Sequence, residues 1–428
     1  MSFRLPRGMR DLEPHDVDSA ERVRSIFLEV CCLFDFKPME PSTLELLSTL
    51  EAKSGSSIRE EIYHFKDKSG REVGLRFDLT VGLARYVCSR RDLPSPVKLA
   101  AYSGNWRYDE PQYGRYRWFY QWDIEILGPK GLDADAEIIE FTSILFHRLG
   151  LQNVSIEIGD RRLADEFIRH NLKIENDDTA MLLLRAMDKL TEKPTGDILK
   201  EYSVHGIDEE ILSRLIEFGK IRGELGSTSI SSELEGLVSS HFVGKMADAL
   251  KARSVPNVLL NMGIVRGLDY YGGFVFEVLD GQNRDIGALA GGGRYDNLTA
   301  AFGRPELGAT GAAGGVERTL LALSKYGIVN SETCENLTFV AYTGENMVHF
   351  ASGIASDLRR NNIPAEMDIL RRPLRRQMEY AASKSVGIVL IVAPREYSEG
   401  KIVIRNMANG EEKKVAIVEL VDILKSAR

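Results

Sequence analysis

The chain has 428 residues, with 55 Lys and Arg against 63 Asp and Glu, a formal charge of −8 and a pI of about 5.6. That length predicts two or three domains with a sizeable core, and the acidic balance excludes a general nucleic-acid coat while leaving room for a local basic surface that grips one RNA. No apolar stretch approaches the ~20 residues needed to cross a bilayer, and the charged N-terminus lacks the apolar centre of a signal peptide, so the expectation is a soluble, cytoplasmic protein with no membrane association.

In chain order, residues 1–14 carry Arg7, Gly8, Arg10 and Asp11 and read as an extended arm. Val23, Ile26, Phe27, Val30 and Leu33 recur at helical spacing and predict a helix from about Val17 to Phe34. Two prolines in Phe36–Pro41 forbid a central strand and imply an edge or an interface, and Leu44–Leu50 reads as a short helix. Ile62–Phe65 and Val73–Phe77 read as a strand pair across Asp67-Lys68-Ser69-Gly70. The pair ends in Asp78-Leu79-Thr80, which opens a helix; Asp78 and Thr80 are candidate caps there, the commoner fate of an acid at such a junction, and candidate ligand contacts.

A strand from Val97 to Tyr102 leads into Trp106–Gly128, WRYDEPQYGRYRWFYQWDIEILG, two arms around a turn at Glu110–Gly114. Alternation on the return arm puts Arg115, Arg117, Phe119, Gln121, Asp123 and Glu125 on one face and Tyr116, Trp118, Tyr120, Trp122 and Ile124 on the other. A half-buried antiparallel strand gives the same outline with no function at all. The kind of polar residue argues for a binding face: arginines stand beside a Gln and two carboxylates, and Arg offers a planar fork that grips phosphate or carboxylate in two places.

Asp133–Leu149 reads as an amphipathic helix and Val154–Gly159 as a strand. From Arg162 to Arg253 the periodicity is helical, aromatics are few and no strand-like element interrupts, which predicts a separate helical insertion. Strands return at Val258, followed by two loaded stretches, Val265–Glu277 (VRGLDYYGGFVFE) and Ala290–Leu323, the latter holding GGGRY and then GAAGGVER. Glycines before Glu317 let backbone approach a ligand closely, and Val316–Leu323 reads as a helix with Arg318 near its N-terminus. GGGRY lacks the GxGxxG spacing of a dinucleotide site and no GxxxxGK[ST] occurs, so both common nucleotide folds are disfavoured. From about Glu335 strands and helices alternate as a compact α/β domain in which VGIVLIVA, residues 386–393, is the central buried strand. Cys31, Cys32, Cys88 and Cys334 form no CxxC pair and no Cys/His ligand spacing, which fits a reducing compartment and argues against a structural zinc site.

Three arginines, Arg107, Arg266 and Arg318, each sit in a segment rich in Gly, Tyr or carboxylate, and their convergence suggests a bound polyphosphate. Asp78, Gln121 and Glu125 with Tyr270, Tyr271 and Tyr295 would make an acidic, hydrogen-bonding, aromatic pocket suited to a small cationic or imidazole-bearing ligand. Together they point to ATP and an amino acid.

On these residues the chain resembles the histidyl-tRNA synthetases, a family of class II aminoacyl-tRNA synthetases, across nearly its whole length. Pro41 stands where class II motif 1 keeps its interface proline, WRYDEP through QWDIE resembles motif 2, and GATGAAGGVERTLLAL resembles motif 3. RGLDYYGGFVFE and GGGRYDNL resemble the two stretches peculiar to the histidine enzymes, LRFDLT resembles their histidine-binding segment, and the C-terminal α/β unit is similar to the family's anticodon-binding domain.

The resemblance implies an α+β fold: a class II catalytic domain on an antiparallel sheet over 1–326, interrupted by the insertion at about 162–253, and an α/β anticodon-binding domain over 335–428. It implies that Arg107 and Arg266 hold the α-phosphate of ATP from opposite sides, that Arg318 holds the γ-phosphate with Arg115 assisting, and that Asp109 lies near the adenine. Asp78, Leu79, Thr80, Gln121, Glu125, Tyr270, Tyr271 and Tyr295 would line the histidine pocket beside Arg107 and Arg266, with Glu125 or Asp78 accepting the imidazole N–H and the ammonium. The implied partners are L-histidine, ATP with Mg²⁺ as its substrate complex, tRNA-His and a second copy of the chain bound through the catalytic domain, with no structural metal.

Adenylation displaces pyrophosphate at an α-phosphorus, so positioning and cationic stabilisation supply most of the catalysis, and arginine suits that task. No Ser/His/Asp or Cys/His arrangement is evident, consistent with transfer that needs no covalent enzyme intermediate. The chain departs from the family pattern in the short turn after Pro111, which leaves open how the loop meets the acceptor end, and in Asp78, where some relatives carry Glu. The competing reading is a non-catalytic paralogue such as the regulatory subunit of ATP phosphoribosyltransferase, which should lack the C-terminal α/β domain and need not keep the arginines.

Overall fold

The computed structural model describes residues 4–426 other than 55, 109, 111–113, 115, 192, 228–229, 231, 233, 266–270 and 329–336. It divides into two compact units, Met1–Asn330 and Ser331–Arg428. Strands of the first are β1 Lys37–Pro38, β2 Leu44–Leu46, β3 His64–Lys66, β4 Glu72–Leu75, β5 Val97–Trp106, β6 Trp118–Gly128, β7 Val154–Asp160, β8 Arg222–Glu224, β9 Val258–Asn261, β10 Phe274–Asp280, β11 Ala288–Arg294 and β12 Gly308–Gly315. Nine of them make one sheet in the order β1-β5-β6-β12-β11-β10-β7-β9-β8, antiparallel except where β1 meets β5 and β7 meets β9. The proline-containing β1 lies at the sheet's edge, where a missing N–H costs least.

One face of this sheet is packed by the helices Pro14–Leu33 and Leu132–Leu149, which bury Phe27, Phe141, Phe146, Trp122 and Ile124 in the main core. Because β6 alternates, Gln121, Asp123 and Glu125 take the opposite face, toward the helix Thr80–Ser89 that packs Leu83 and Val87 beside Leu127 and Tyr295.

Leu44–Leu46 is a strand, and the helix expected there begins only at Leu47. Pairing with β4 uses the backbone groups of 44–46, and the apolar-acidic-apolar alternation fits a strand better than a turn of helix. In the three-stranded sheet β2-β4-β3, Leu46, Val73 and Phe65 stand in one row whose outer members Leu46 and Phe65 are exposed about a buried Val73, and Leu44 is exposed two residues along β2.

Residues 162–253 hold helices Asp177–Asp188, Thr195–Ser203, Glu209–Gly219 and Ser240–Ala252 around their own apolar cluster of Leu183, Met187, Leu212 and Leu215. The expectation that no strand interrupts them is corrected by β8, whose three residues are too few to show a period of two and which adds to the sheet edge beside β9. It is pinned by Glu157, a buried carboxylate bonded to Arg222 of β8, to Arg284 at 2.7 Å and to Asn261 at 2.7 Å.

Arg294, at the end of β11, forks onto Asp135 at 3.1 and 2.5 Å and also donates to the carbonyls of Pro129 and Gly131. It is therefore scaffold. Burial pushes the Asp135 carboxyl up to about 6 in spite of Arg294. Arg294→Ala, which leaves that acid buried and unpaired, is expected to cost about 3–5 kcal/mol and lower the melting temperature. A carboxyl with a raised pKa takes up its proton in the folded state first, so the deficit against the parent should shrink as pH falls toward about 5; a deficit in thermal melts that does not change with pH would refute this account.

The second unit is a five-stranded sheet ordered 365–367, 338–342, 388–392, 401–406, 412–416, the first three strands parallel and the others antiparallel. Ile388–Val392 is its middle strand, as its unbroken apolar run predicts. Helices Val348–Arg360 and Leu374–Ser383 cover opposite faces, the first against Val340, Leu390 and Ile402, the second against Phe339, Ala341 and Val389. The strand Glu412–Ala416 was not expected; three of its five residues are charged and exposed, as suits an edge strand.

Candidate active site

A cleft of about 360 Å³ opens on the face of the nine-stranded sheet opposite the main core, floored by β6, β11 and β12. Its shape follows from small residues on β12. Register pairs Glu125 with Gly311, and a methyl group at 311 would lie 1.7 Å from Glu125 Oε2. At 314 it would lie 2.4 Å from the Trp122 ring. The glycines thus make room for side chains of the neighbouring strand, and the backbone they leave bare, Gly311–Gly315, becomes cleft floor.

One end is acidic. The Tyr295 hydroxyl donates to Glu125 Oε2, Thr80 Oγ1 donates to Asp123 Oδ2 at 3.2 Å, and Gln121 Nε2 reaches the same oxygen at 3.4 Å. Asp78 Oδ1 accepts from the Val81 amide at 3.1 Å, so this acid caps the helix and lines the cleft as well. Tyr271 lines the cleft beside Tyr295, its carbonyl held by Arg161 at 2.8 Å. Glu125 is 1% exposed, and burial with Asp123 next to it holds its carboxyl well above the usual carboxylate range. Burial and Glu125 likewise raise the Tyr295 hydroxyl. Such a pair favours a cationic guest, which restores the counter-charge that burial removes.

The other end is basic and aromatic. Arg107 Nε donates to the Phe77 carbonyl at 2.9 Å, and its guanidinium lies 5.1 Å from the Phe119 ring centre. Arg318, in the first turn of the helix Val316–Lys325, donates from Nη1 to the Ala288 carbonyl at 3.0 Å. Tyr116, Gly114 and Glu317 complete this end. Glu317 Oε1 accepts from the Tyr120 amide at 3.1 Å, tying the helix to β6, while its Oε2 is buried with no hydrogen-bond partner.

Of the residues expected at the site, Asp78, Thr80, Arg107, Gln121, Glu125, Tyr271, Tyr295 and Arg318 line this one cleft. The Leu79 side chain is fully buried among Leu83, Ala84 and Val87, between two residues that line the cleft. Asp109, Arg115, Arg266 and Tyr270 lie outside the described residues. Phe119, Tyr116 and Glu317 were missed. An acid directly before Arg318 in a first turn reads as an ordinary favourable charge at a helix N-terminus, and only the strand contact distinguishes it. Among the described residues no three His, Cys, Asp or Glu side chains converge as a metal-ligating group, and no helix is long and apolar enough to cross a membrane.

A family model described as histidyl-tRNA synthetase matches residues 8–319, and one described as an anticodon binding domain matches residues 338–427. The histidine–tRNA ligase of Pyrococcus furiosus is 33% identical over 434 residues, covering 98% of each chain. Among solved structures, the histidyl-tRNA synthetase of Nostoc sp. PCC 7120 superposes with a TM-score of 0.81 at 22% identity over 100% of both chains. The apo enzyme of S. aureus gives 0.73 at 25% identity, covering 99% of this chain and 100% of the other.

Proposed function

We infer the roles of the cleft residues from one premise: the chain belongs to the histidyl-tRNA synthetase family. It is a histidine–tRNA ligase, activating L-histidine with ATP to histidyl-adenylate and passing the histidyl group to the 3′ end of tRNA. The observation that carries the division of labour is that buried Glu125, bonded to the Tyr295 hydroxyl, lines the same cleft as Arg107 and Arg318. Histidine takes the acidic end. Glu125 receives its cationic or N–H groups, with Asp78, Thr80, Gln121, Tyr271 and Tyr295 around it and Tyr270 joining them. ATP, entering as its Mg²⁺ complex, takes the basic end.

In the first step a carboxylate oxygen of histidine attacks the α-phosphorus and pyrophosphate leaves. Arg107 and Arg266 neutralise the α-phosphoryl group, Arg318 with Arg115 draws on the γ-phosphate, and Asp109 lies by the adenine. In the second, the terminal ribose hydroxyl of the tRNA displaces AMP. No side chain forms a covalent intermediate; the cleft supplies proximity and charge.

The catalytic domain is assigned to 1–326 with the insertion at about 162–253, and the anticodon-binding domain to 335–428. Residues 337–428 hold 14 Lys and Arg against 11 Asp and Glu, a positive unit within an acidic chain, which suits an RNA partner, here tRNA-His. The exposed apolar side chains Leu44, Leu46 and Phe65 of the three-stranded sheet support a homodimer through the catalytic domain. A cytoplasmic location accords with Cys31, Cys32 and Cys88 as free thiols. The regulatory-paralogue reading has less support, since both the C-terminal α/β unit and the cleft arginines are present.

The test is exchange of labelled pyrophosphate into ATP by the purified chain, with its mass followed by light scattering. Exchange should require histidine and the mass should be that of two chains. Exchange without histidine, or equal exchange with other amino acids, would overturn the substrate assignment, and a single-chain mass the dimer.

A further inference from the structure

The N-terminal arm, Arg7 to Arg10, lies outside every assigned role, yet it is stitched to the basic end of the cleft. The Arg117 amide donates to the Gly8 carbonyl at 2.9 Å, and Arg117 Nη1 donates to the Arg7 carbonyl at 3.3 Å. Gly8 turns there with φ +81°, a left-handed conformation that glycine adopts without strain. The turn delivers Arg10 onto the Tyr116 ring, 4.1 Å from its centre, with Nη2 3.6 Å from Glu317 Oε1 and Nη1 3.8 Å from Asp16. Arg10 thus joins three segments that are remote in sequence: the arm, the base of the return strand and the first turn of the helix Val316–Lys325.

Glu317 is 7% exposed, and its carboxylate divides its work between two oxygens. Oε1 is committed to the Tyr120 amide and faces Arg10. Oε2 is buried with no hydrogen-bond partner in a residue that lines the cleft, and Arg10 Nε is likewise buried with no partner. Leaving a buried charged acceptor unmade is costly, so an orphan at a substrate cleft points to a group the substrate brings. A bare phosphate oxygen would be repelled by the carboxylate, and the groups of the nucleotide that can donate to it are the ribose hydroxyls and the adenine amino group.

We propose that Arg10 is a positioning residue for ATP: it holds Glu317 on the Tyr120 amide so that Oε2 is aimed at a hydroxyl or amino donor of the nucleotide. Burial raises the Glu317 carboxyl above its ordinary value, and the Tyr120 amide and then the nearby guanidinium oppose that rise. The inference rests on ATP occupying the basic end.

Histidine-dependent pyrophosphate exchange, with ATP and histidine varied separately, tests it in Arg10→Ala, Arg10→Lys, Glu317→Gln and the Arg10→Ala/Glu317→Gln double variant. Arg10→Ala should raise the KM for ATP about tenfold, the scale of one charge-assisted hydrogen bond, with the KM for histidine unchanged. Arg10→Lys should recover most of the loss, and the double variant should be no worse than Glu317→Gln alone, since Arg10 acts through Glu317. Equal losses for both substrates, or singles whose effects multiply in the double variant, would overturn the role.

Deoxy-ATP analogues and a triphosphate lacking the purine amino group separate the two donors. Whichever analogue removes the contact should weaken the parent enzyme yet add nothing to Glu317→Gln; if each costs as much in the variant as in the parent, Oε2 does not meet the nucleotide and the proposal fails. A parent chain with no histidine-dependent exchange would sink the functional reading, whereas an active parent with an indifferent Arg10→Ala sinks only this one.

Discussion

Arg107→Ala is expected to slow histidine-dependent pyrophosphate exchange by about 100- to 1,000-fold, the usual cost of deleting one preorganised donor to a developing charge. Arg107 is held before substrate arrives: Nε is committed to the Phe77 carbonyl at 2.9 Å, and the guanidinium plane lies by Phe119. On the proposed assignment this guanidinium meets the α-phosphoryl group with little ordering left to be done. The loss should fall on kcat more than on the KM for histidine, because negative charge on the phosphoryl oxygens redistributes in the transition state. Arg107→Lys keeps the charge but cannot bond Phe77 and phosphate together through one planar fork, so it should recover only part of the rate. An Arg107→Ala enzyme within a few-fold of the parent would remove Arg107 from the catalytic set.

The second large effect is expected at Glu125. Glu125→Gln keeps the shape and the contact to Tyr295 but removes the negative charge, and it should raise the KM for histidine about 100-fold while leaving that for ATP near the parent value. Among the described residues the groups acting on Glu125 are the Asp123 carboxylate and the hydroxyls of Tyr295 and Thr80. With its carboxyl held well above the usual range, the empty site keeps its proton to higher pH than an exposed Glu would, and a cationic guest binds the ionised form. The KM for histidine in the parent should therefore fall as pH rises through that titration. Since Gln does not titrate, Glu125→Gln should lose this slope. Comparing parent and variant at each pH cancels the titration of histidine itself, and parallel KM profiles would show that Glu125 is not the group involved.

How much of this was legible in the sequence depended on element length and on who the neighbours are. The strand Trp118–Gly128 shows its two faces over eleven residues, so the separation of Gln121, Asp123 and Glu125 from Trp122 and Ile124 could be read directly. The middle strand of the second unit, with unbroken apolar composition, was equally plain. Three-residue strands such as β8 have no measurable period, and their existence is decided by the partner strand. The site was readable where its chemistry is unusual for a surface, at Arg107, Arg318, Glu125 and Tyr295. It was not readable where a residue plays a common part locally and an uncommon one in space. Glu317 looks like a helix-start acid, and Arg10 looked like an ordinary arm residue until Tyr116 and Glu317 came to lie beneath it.

Gly311 bears on how such a pocket can change. The acid on β6 occupies the space that a side chain on β12 would fill, so the two strands hold one volume in common. A larger residue at 311 is incompatible with Glu125, and shortening Glu125 leaves a void over 311. Substitution at either position alone meets a clash or a hole, which makes the shared volume a barrier to drift. A redesign of the pocket for an amino acid of another size has to alter positions 125 and 311 together, although they lie 186 positions apart in the chain.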